Sequence, residues 1–298
     1  MSEASHAVAA PLGGVRQVVT DYVTLTKPRV QLLLLLTTVT TMYVAGDPSI
    51  GLVALTVLGG YLSAGGAGAV NHYWDRDIDA AMKRTASRPV PSGRVPAWAA
   101  LTFGLVLQAL SFLLLATTVN LLSACLALAG FVWYTLVYTM WLKRRTPQNI
   151  VIGGAAGAVP PLVGWAAVTG GLDPVAPYLF AIVFFWTPPH FWALSLLMKE
   201  EYAAVGVPMM PVVHGERETR RQVLLYAVLL MALTLLPVAF GFFGIVYAIA
   251  AAALGGAFVV RAYDLYRQAD RASALRAYLF SLLYLALLFG AMVLDARI

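Results

Sequence analysis

The run Asn71-His72-Tyr73-Trp74-Asp75-Arg76-Asp77-Ile78-Asp79 closes an apolar stretch, residues 50–71, that is long enough to cross a bilayer. Ionisable groups beside such a segment are costly and mark function by default. On a helix, steps of four advance about 400°, so Asn71, Asp75 and Asp79 stay within roughly an 80° arc and rise about 6 Å per step. One face therefore carries an amide and two carboxylates. Asp77 lies about 200° from Asp75 and is expected to point away. Three oxygen ligands on one stripe suit Mg²⁺, which binds through one or two carboxylates and completes its shell with water and phosphate oxygens. The stripe thus points to an enzyme that handles a diphosphate at a membrane surface.

The rest of the chain supplies the membrane. Of 298 residues, 60% are hydrophobic and 11% charged, against about 25% charged in a soluble domain. Apolar stretches predict helices over 30–46, 50–71, 97–117, 120–141, 148–169, 176–198, 222–241, 243–263 and 275–295. Nine spans leave the two ends of the chain on opposite sides. With the N-terminus inside, nineteen of the twenty Lys and Arg fall in cytoplasmic segments, and only Arg297 falls outside. The net charge of +6 is then a matter of topology and anionic lipid, and nucleic acid is not invoked. Residues 1–27 lack the pattern of a cleaved signal peptide, and Glu3 and Asp21 argue against a transit sequence. The expectation is one integral-membrane domain over 1–298 in a bacterial inner (plasma) membrane, with 1–27 as a cytoplasmic N-terminal segment and the C-terminus outside. The single cysteine, Cys125, is read as a small hydrophobe packed mid-helix.

Two cytoplasmic loops, 72–96 and 199–221, exceed twenty residues, and loops of that length are usually functional or disordered. They follow the second and sixth spans, which suggests two four-helix halves plus a ninth helix. Gly65-Gly66-Ala67-Gly68 and Gly153-Gly154-Ala155-Ala156-Gly157 are read as close helix contacts.

Cations follow the acidic stripe at once, with Lys83, Arg84, Arg88 and Arg94 in the first loop and Lys143 and Arg144 at the next cytoplasmic corner. They mark topology, and Arg84, Arg88, Lys143 and Arg144 are also candidate partners of a diphosphate. In the sixth span, Pro188-Pro189 is expected to break or kink the helix and free backbone carbonyls. His190 either satisfies one of those carbonyls or contacts a large substrate, including as an axial ligand of a haem iron. In the second loop Glu200 and Glu201 differ by about 100° on a helix, so at most one can join a metal site, and Glu201 is the candidate.

Taken in order, these segments resemble the membrane-embedded prenyltransferase superfamily, and within it the protoheme IX farnesyltransferases, from about residue 24 to 295. The superfamily pattern N-x-x-x-D-x-x-x-D is met by Asn71, Asp75 and Asp79. The haem-type features are Thr26-Lys27-Pro28-Arg29, Arg88-Pro89, Lys143-Arg144 through Gln148-Asn149, Pro188-Pro189-His190-Phe191-Trp192 and Gly206-Val207-Pro208-Met209-Met210-Pro211. The resemblance implies nine helices around a central cavity and Mg²⁺-dependent farnesyl transfer from farnesyl diphosphate to haem b, with water added. It implies haem o and diphosphate as products, and a haem A synthase or terminal oxidase assembly step as recipient. It also implies that Asn71, Asp75 and Asp79 hold Mg²⁺ and act in catalysis, while Arg84, Arg88, Lys143, Arg144, His190 and Glu201 bind substrate. One departure stands out: many members carry a second D-x-x-x-D where this chain has Lys199-Glu200-Glu201-Tyr202, which fits the haem-type branch and leaves a second Mg²⁺ site open. Prenyl transfer to a quinone-precursor ring shares the first motif and is the neighbouring alternative. A secondary transporter would place its ion ligands near the bilayer midplane, away from helix ends.

Overall fold

The protein is described here by a computed structural model that covers residues 14–298, so the N-terminal segment predicted over 1–27 lies outside the described residues up to position 13. Among the described residues every regular element is helical, and nine helices are long and apolar enough to cross a membrane: Pro28–Ala45, Ile50–Trp74, Ala97–Thr118, Leu121–Leu142, Asn149–Thr169, Val175–Leu197, Gly215–Ala239, Ile245–Gln268 and Arg271–Asp295. Each span packs on the next in sequence, and the ninth returns to the first to close the ring. The first span also lies against the fifth, and the sixth against the ninth, across the middle of the bundle. Side-chain caps start three of them. Ser49 Oγ accepts from Leu52 N–H, Asn120 Oδ1 from Ser123 N–H and Asp270 Oδ1 from Ser273 N–H, at 3.2, 2.8 and 2.7 Å.

Helix ends differ from the hydropathy reading where a helix continues in polar sequence. The seventh span begins at Gly215 and absorbs the last third of the predicted loop 199–221. Glu216 pairs with Arg220, and Glu218 with Arg221 and Gln222, so the added turns are held by i,i+3 and i,i+4 contacts with acids at the N-terminus. The eighth span likewise runs on to Gln268, and the ninth starts at Arg271 behind its Asp270 cap. Pro188 and Pro189 do not break the sixth span, because Trp186, Thr187 and His190 are buried with them and neighbouring helices hold its course. An unpredicted helix, Val15–Leu25, precedes the first span, with Asp21 and Leu25 inward and Val15, Val18, Val19 and Val23 exposed. Cys125 does not pack inside; it is exposed on the outside of the bundle.

The glycine readings hold at the second and third spans. A Cβ on Gly66 would lie 2.6 Å from Gly104 O, and one on Gly104 would lie 2.7 Å from Gly66 O. Gly66→Ala is therefore expected to cost about 1–3 kcal/mol of stability by overpacking. Thermal or denaturant unfolding in micelles measures it, and an unshifted transition would contradict the contact.

Polar groups separate to the two ends. Arg297 donates to Gly46 O at 3.0 Å and reaches Asp47, while Asp295 accepts from Gly244 N–H and Tyr247 N–H at 2.6 and 3.1 Å. At the opposite end, six-residue helices follow the second and sixth spans, Arg76–Ala81 and Lys199–Ala204. That matched placement agrees with two similar halves.

Candidate active site

The second span stops at Trp74. Asp75 adopts φ −87°, ψ 9°, and a new helix starts at Arg76 with Asp77 and Asp79 in its first turn, where the helix dipole favours them. The predicted helix through residue 79 is thus interrupted, yet its register survives. Asp75 N–H bonds to Asn71 O at 2.9 Å, and Asp79 N–H to Asp75 O at 2.7 Å. Asn71, Asp75 and Asp79 are 3%, 1% and 3% exposed, whereas the Asp77 side chain is 62% exposed and points away as the spacing requires. Asn71 Nδ2 donates to Asp75 Oδ2 at 2.8 Å and to Thr139 Oγ1 at 3.1 Å.

Cations from three parts of the chain close on this stripe. Arg88 Nη1 donates to both Asp79 oxygens, at 2.9 and 2.7 Å, and Lys143 Nζ donates to Asp75 Oδ2. Lys27 Nζ donates to Asn71 Oδ1 at 2.6 Å. Arg144 is held mainly by Asp77, through two 2.7 Å bonds, and reaches Asp75 Oδ1 only at 3.7 Å. Arg84 is exposed and makes no ion pair among the described residues. The Arg144 guanidinium holds the Asp77 carboxyl down at about 2. Burial, with Arg88 and Lys143 close by, lowers the Lys27 amine to about 7. An anion brought to Nζ would favour its charged form again.

Local winding places two of these partners. Trp133–Leu142 is a π-helix, and the Lys143 N–H bonds back five residues to Tyr138 O at 2.9 Å. Thr139 and Lys143 consequently both face the stripe. Nothing in the apolar-aromatic sequence of that segment signals π winding, and neither Thr139 nor Lys27, which entered only within the Thr26-Lys27-Pro28-Arg29 resemblance, was named as a site residue. Lys27 sits at φ 54°, ψ 55°, an unusual place for a side chain with a Cβ, just before Pro28 opens the first span.

The two long loops meet over the site through apolar side chains. Ile78 and Met82 from the first pack with Tyr202, Val207 and Met209 from the second, joined by Tyr138 and Phe191. Burial raises the Tyr202 phenol above its usual value, with Arg84 pulling it the other way. Glu201 lies beside that tyrosine, with Oε2 buried and lacking any hydrogen-bond partner. His190 stands apart from the acidic stripe. It is 7% exposed, and Nδ1 lies 2.7 Å from Ser281 Oγ on the ninth span rather than on a freed carbonyl of its own helix.

Among the described residues no three His, Cys, Asp or Glu side chains cluster as a metal nest. The donor set for a cation is Asn71, Asp75 and Asp79, all hard oxygens, and it fits Mg²⁺. Among the described residues Asp75 Oδ1 is buried with no hydrogen-bond partner, which leaves an acceptor for a cation. Lys27, Arg88 and Lys143 interleave with these oxygens, so one cluster offers both donors to an anion and acceptors to a cation. A metal-bound diphosphate needs that combination.

The model of the UbiA prenyltransferase family matches residues 34–288. A relative from Symbiobacterium thermophilum, named protoheme IX farnesyltransferase, is 54% identical over 94% of this chain and 95% of its own length. Relatives of the same name from Roseiflexus sp. and Thermus thermophilus are 54% and 51% identical over 95% and 100% of this chain. The chain spans about half the length of these two, 54% and 49%. Among solved structures, a digeranylgeranylglyceryl phosphate synthase superposes with a TM-score of 0.77 at 19% identity, covering 94% of this chain and 99% of that one. A UbiA homolog from Archaeoglobus fulgidus bound to DMAPP and Mg²⁺ gives 0.69 at 17%, covering 91% and 99%. At such identities the two structures speak to the fold alone.

Proposed function

The chain belongs to the UbiA prenyltransferase family, and from that membership we propose that it farnesylates haem b, using farnesyl diphosphate and water and releasing haem o and diphosphate. The observation that carries the reading is the buried cluster in which Asn71, Asp75 and Asp79 alternate with Lys27, Lys143 and Arg88. Asn71, Asp75 and Asp79 would hold Mg²⁺, which supplies charge compensation to the departing diphosphate. Lys27, Lys143 and Arg88 donate to the diphosphate oxygens as negative charge grows on them, which is electrostatic stabilisation of the transition state. Arg84 and Arg144 stand at the rim and guide the anion in. Apolar helices take the farnesyl tail, and the region of His190 and the second loop takes the porphyrin.

In the balanced reaction, the C–O bond to diphosphate breaks with both electrons going to oxygen. The allylic carbon bonds to the terminal vinyl carbon of the porphyrin. Water then adds its oxygen to the other vinyl carbon and releases a proton. The site is proposed to face the cytoplasm of a bacterial inner membrane, because nineteen of the twenty cations fall at that end of the bundle. The product would pass to a haem A synthase or to terminal oxidase assembly.

Purified full-length protein with haem b, farnesyl diphosphate and Mg²⁺ should yield a porphyrin heavier by one farnesyl group and one hydroxyl, detected by mass spectrometry. Chelation of Mg²⁺ should stop its formation. Farnesylation of a quinone precursor with haem left untouched would overturn the choice of acceptor.

A further inference from the structure

The sixth and ninth spans meet at Ser281, which is fully buried and lies against His190, Trp186 and Tyr278. Its Oγ lies 2.7 Å from His190 Nδ1 and 2.6 Å from the carbonyl oxygen of Tyr278. Its own carbonyl accepts the Trp186 indole N–H at 2.8 Å. The imidazole of His190 stacks on Trp186, with centroids 4.3 Å apart at 20°, and is tilted by 31° to Tyr278, 4.9 Å away. Phe191 meets it edge-on at 5.7 Å. The ring therefore has little freedom to turn.

Proton counting points to the nitrogen that carries hydrogen. A serine hydroxyl has one proton, and a carbonyl oxygen has none to give. With the Ser281 proton on the 2.6 Å contact to Tyr278 O, Ser281 Oγ meets His190 Nδ1 as an acceptor, with Nδ1 as the donor. Nδ1 is then the protonated nitrogen. Among the described residues no carboxylate bonds to the ring, and a neutral imidazole with its proton on Nδ1 keeps a lone pair on Nε2. No described residue hydrogen-bonds Nε2.

We propose that Ser281 is a positioning residue that sets the tautomer of His190, so that Nε2 presents a bare lone pair to the iron of a porphyrin substrate. The proposal rests on the reading that this chain takes haem as its acceptor. A porphyrin's peripheral carboxylates are acceptors themselves and gain nothing from a lone pair, whereas the iron is a Lewis acid. The opposite tautomer would turn an N–H toward the metal and could not ligate it. Hydrogen bonds to the far nitrogen of a ligating histidine orient the ring and tune its basicity, and their loss typically costs ten- to a hundredfold in metal affinity.

The test uses the full chain in detergent. With ¹⁵N-labelled histidine, and His190→Gln to assign the signal, the substrate-free protein should show a protonated Nδ1 and a bare Nε2 at His190. The reverse pattern overturns the proposal, whatever the variants do. On titration with ferric haem b, wild type should develop the optical bands of imidazole-ligated iron, and His190→Gln should lack them. Ser281→Ala should bind haem about tenfold to a hundredfold more weakly, with a shifted iron–histidine stretch in the ferrous state. Ser281→Thr, which keeps the hydroxyl, should restore both, while farnesyl diphosphate affinity stays constant throughout as the check on folding. Wild-type haem binding and stretch in Ser281→Ala would overturn the role of Ser281 and leave haem as substrate. Haem bands unchanged in His190→Gln would overturn ligation by His190. Absence of farnesylated haem in the product assay would instead overturn the reading beneath both.

Discussion

Asp75→Asn is expected to slow prenyl transfer by about a thousandfold in a protein that still inserts and keeps its helices. Asp75 is 1% exposed and sits where the second span ends, accepting from Asn71 Nδ2 and from Lys143 Nζ through the same oxygen. An asparagine preserves the shape and an acceptor for Asn71 but removes the charge that a divalent cation requires. Lys143 is then no longer neutralised and stays free to hold diphosphate, so the loss should fall on kcat with little change in farnesyl diphosphate affinity. Alanine is the poorer test, because both variants break the buried pair with Lys143 and alanine also leaves an emptied space. Asp77→Asn supplies the comparison two residues away. Its carboxylate is 62% exposed and pairs with Arg144, so activity should stay within about tenfold of wild type. Turnover measured with labelled farnesyl diphosphate separates the two positions. Wild-type turnover in Asp75→Asn would remove the acidic stripe from the chemistry.

The stripe was legible because its meaning lies in spacing alone. Steps of four put Asn71, Asp75 and Asp79 together and turned Asp77 away, and the break at Asp75 left that register intact because its N–H still reaches Asn71 O. The nine spans were legible because a bilayer imposes a long apolar run on each of them. Their ends were not, since hydropathy stops where Glu216, Glu218, Arg220 and Arg221 begin, while the helix continues on their mutual pairing. The residues missed are those whose partners lie far off in sequence. Lys27 meets Asn71 across 44 positions, and Ser281 meets His190 across 91. A lysine before a proline reads as a topology marker, and a serine within Phe280-Ser281-Leu282 reads as a small residue suited to packing. The π winding that turns Thr139 and Lys143 onto the stripe has no sequence signal at all.

Lys27→Met should lower kcat/KM for farnesyl diphosphate by about a hundredfold, the roughly 3 kcal/mol of a buried charge-assisted hydrogen bond, while leaving the protein as stable as before or more so. The reason is the pairing pattern. Arg88 has Asp79 and Lys143 has Asp75, but Lys27 Nζ has only the amide oxygen of Asn71. Its charge therefore lacks a carboxylate of its own, and burial together with Arg88 and Lys143 lowers its amine to about 7. The backbone is held in the left-handed region to put it there, which for a residue with a Cβ costs on the order of 1–3 kcal/mol. A fold has no use for a strained cation crowded by two others, whereas an incoming diphosphate does. Methionine keeps most of the stem and removes the repulsion, so thermal unfolding should be unchanged or shift upward. Arg144→Ala removes a cation already bound to Asp77 at the rim and should cost no more than about tenfold. Wild-type kcat/KM in Lys27→Met would sink this assignment, and a large loss of stability would make Lys27 a structural group. Loss of activity at undiminished stability identifies a residue retained for its ligand, as expected where a local rule is broken at a functional site.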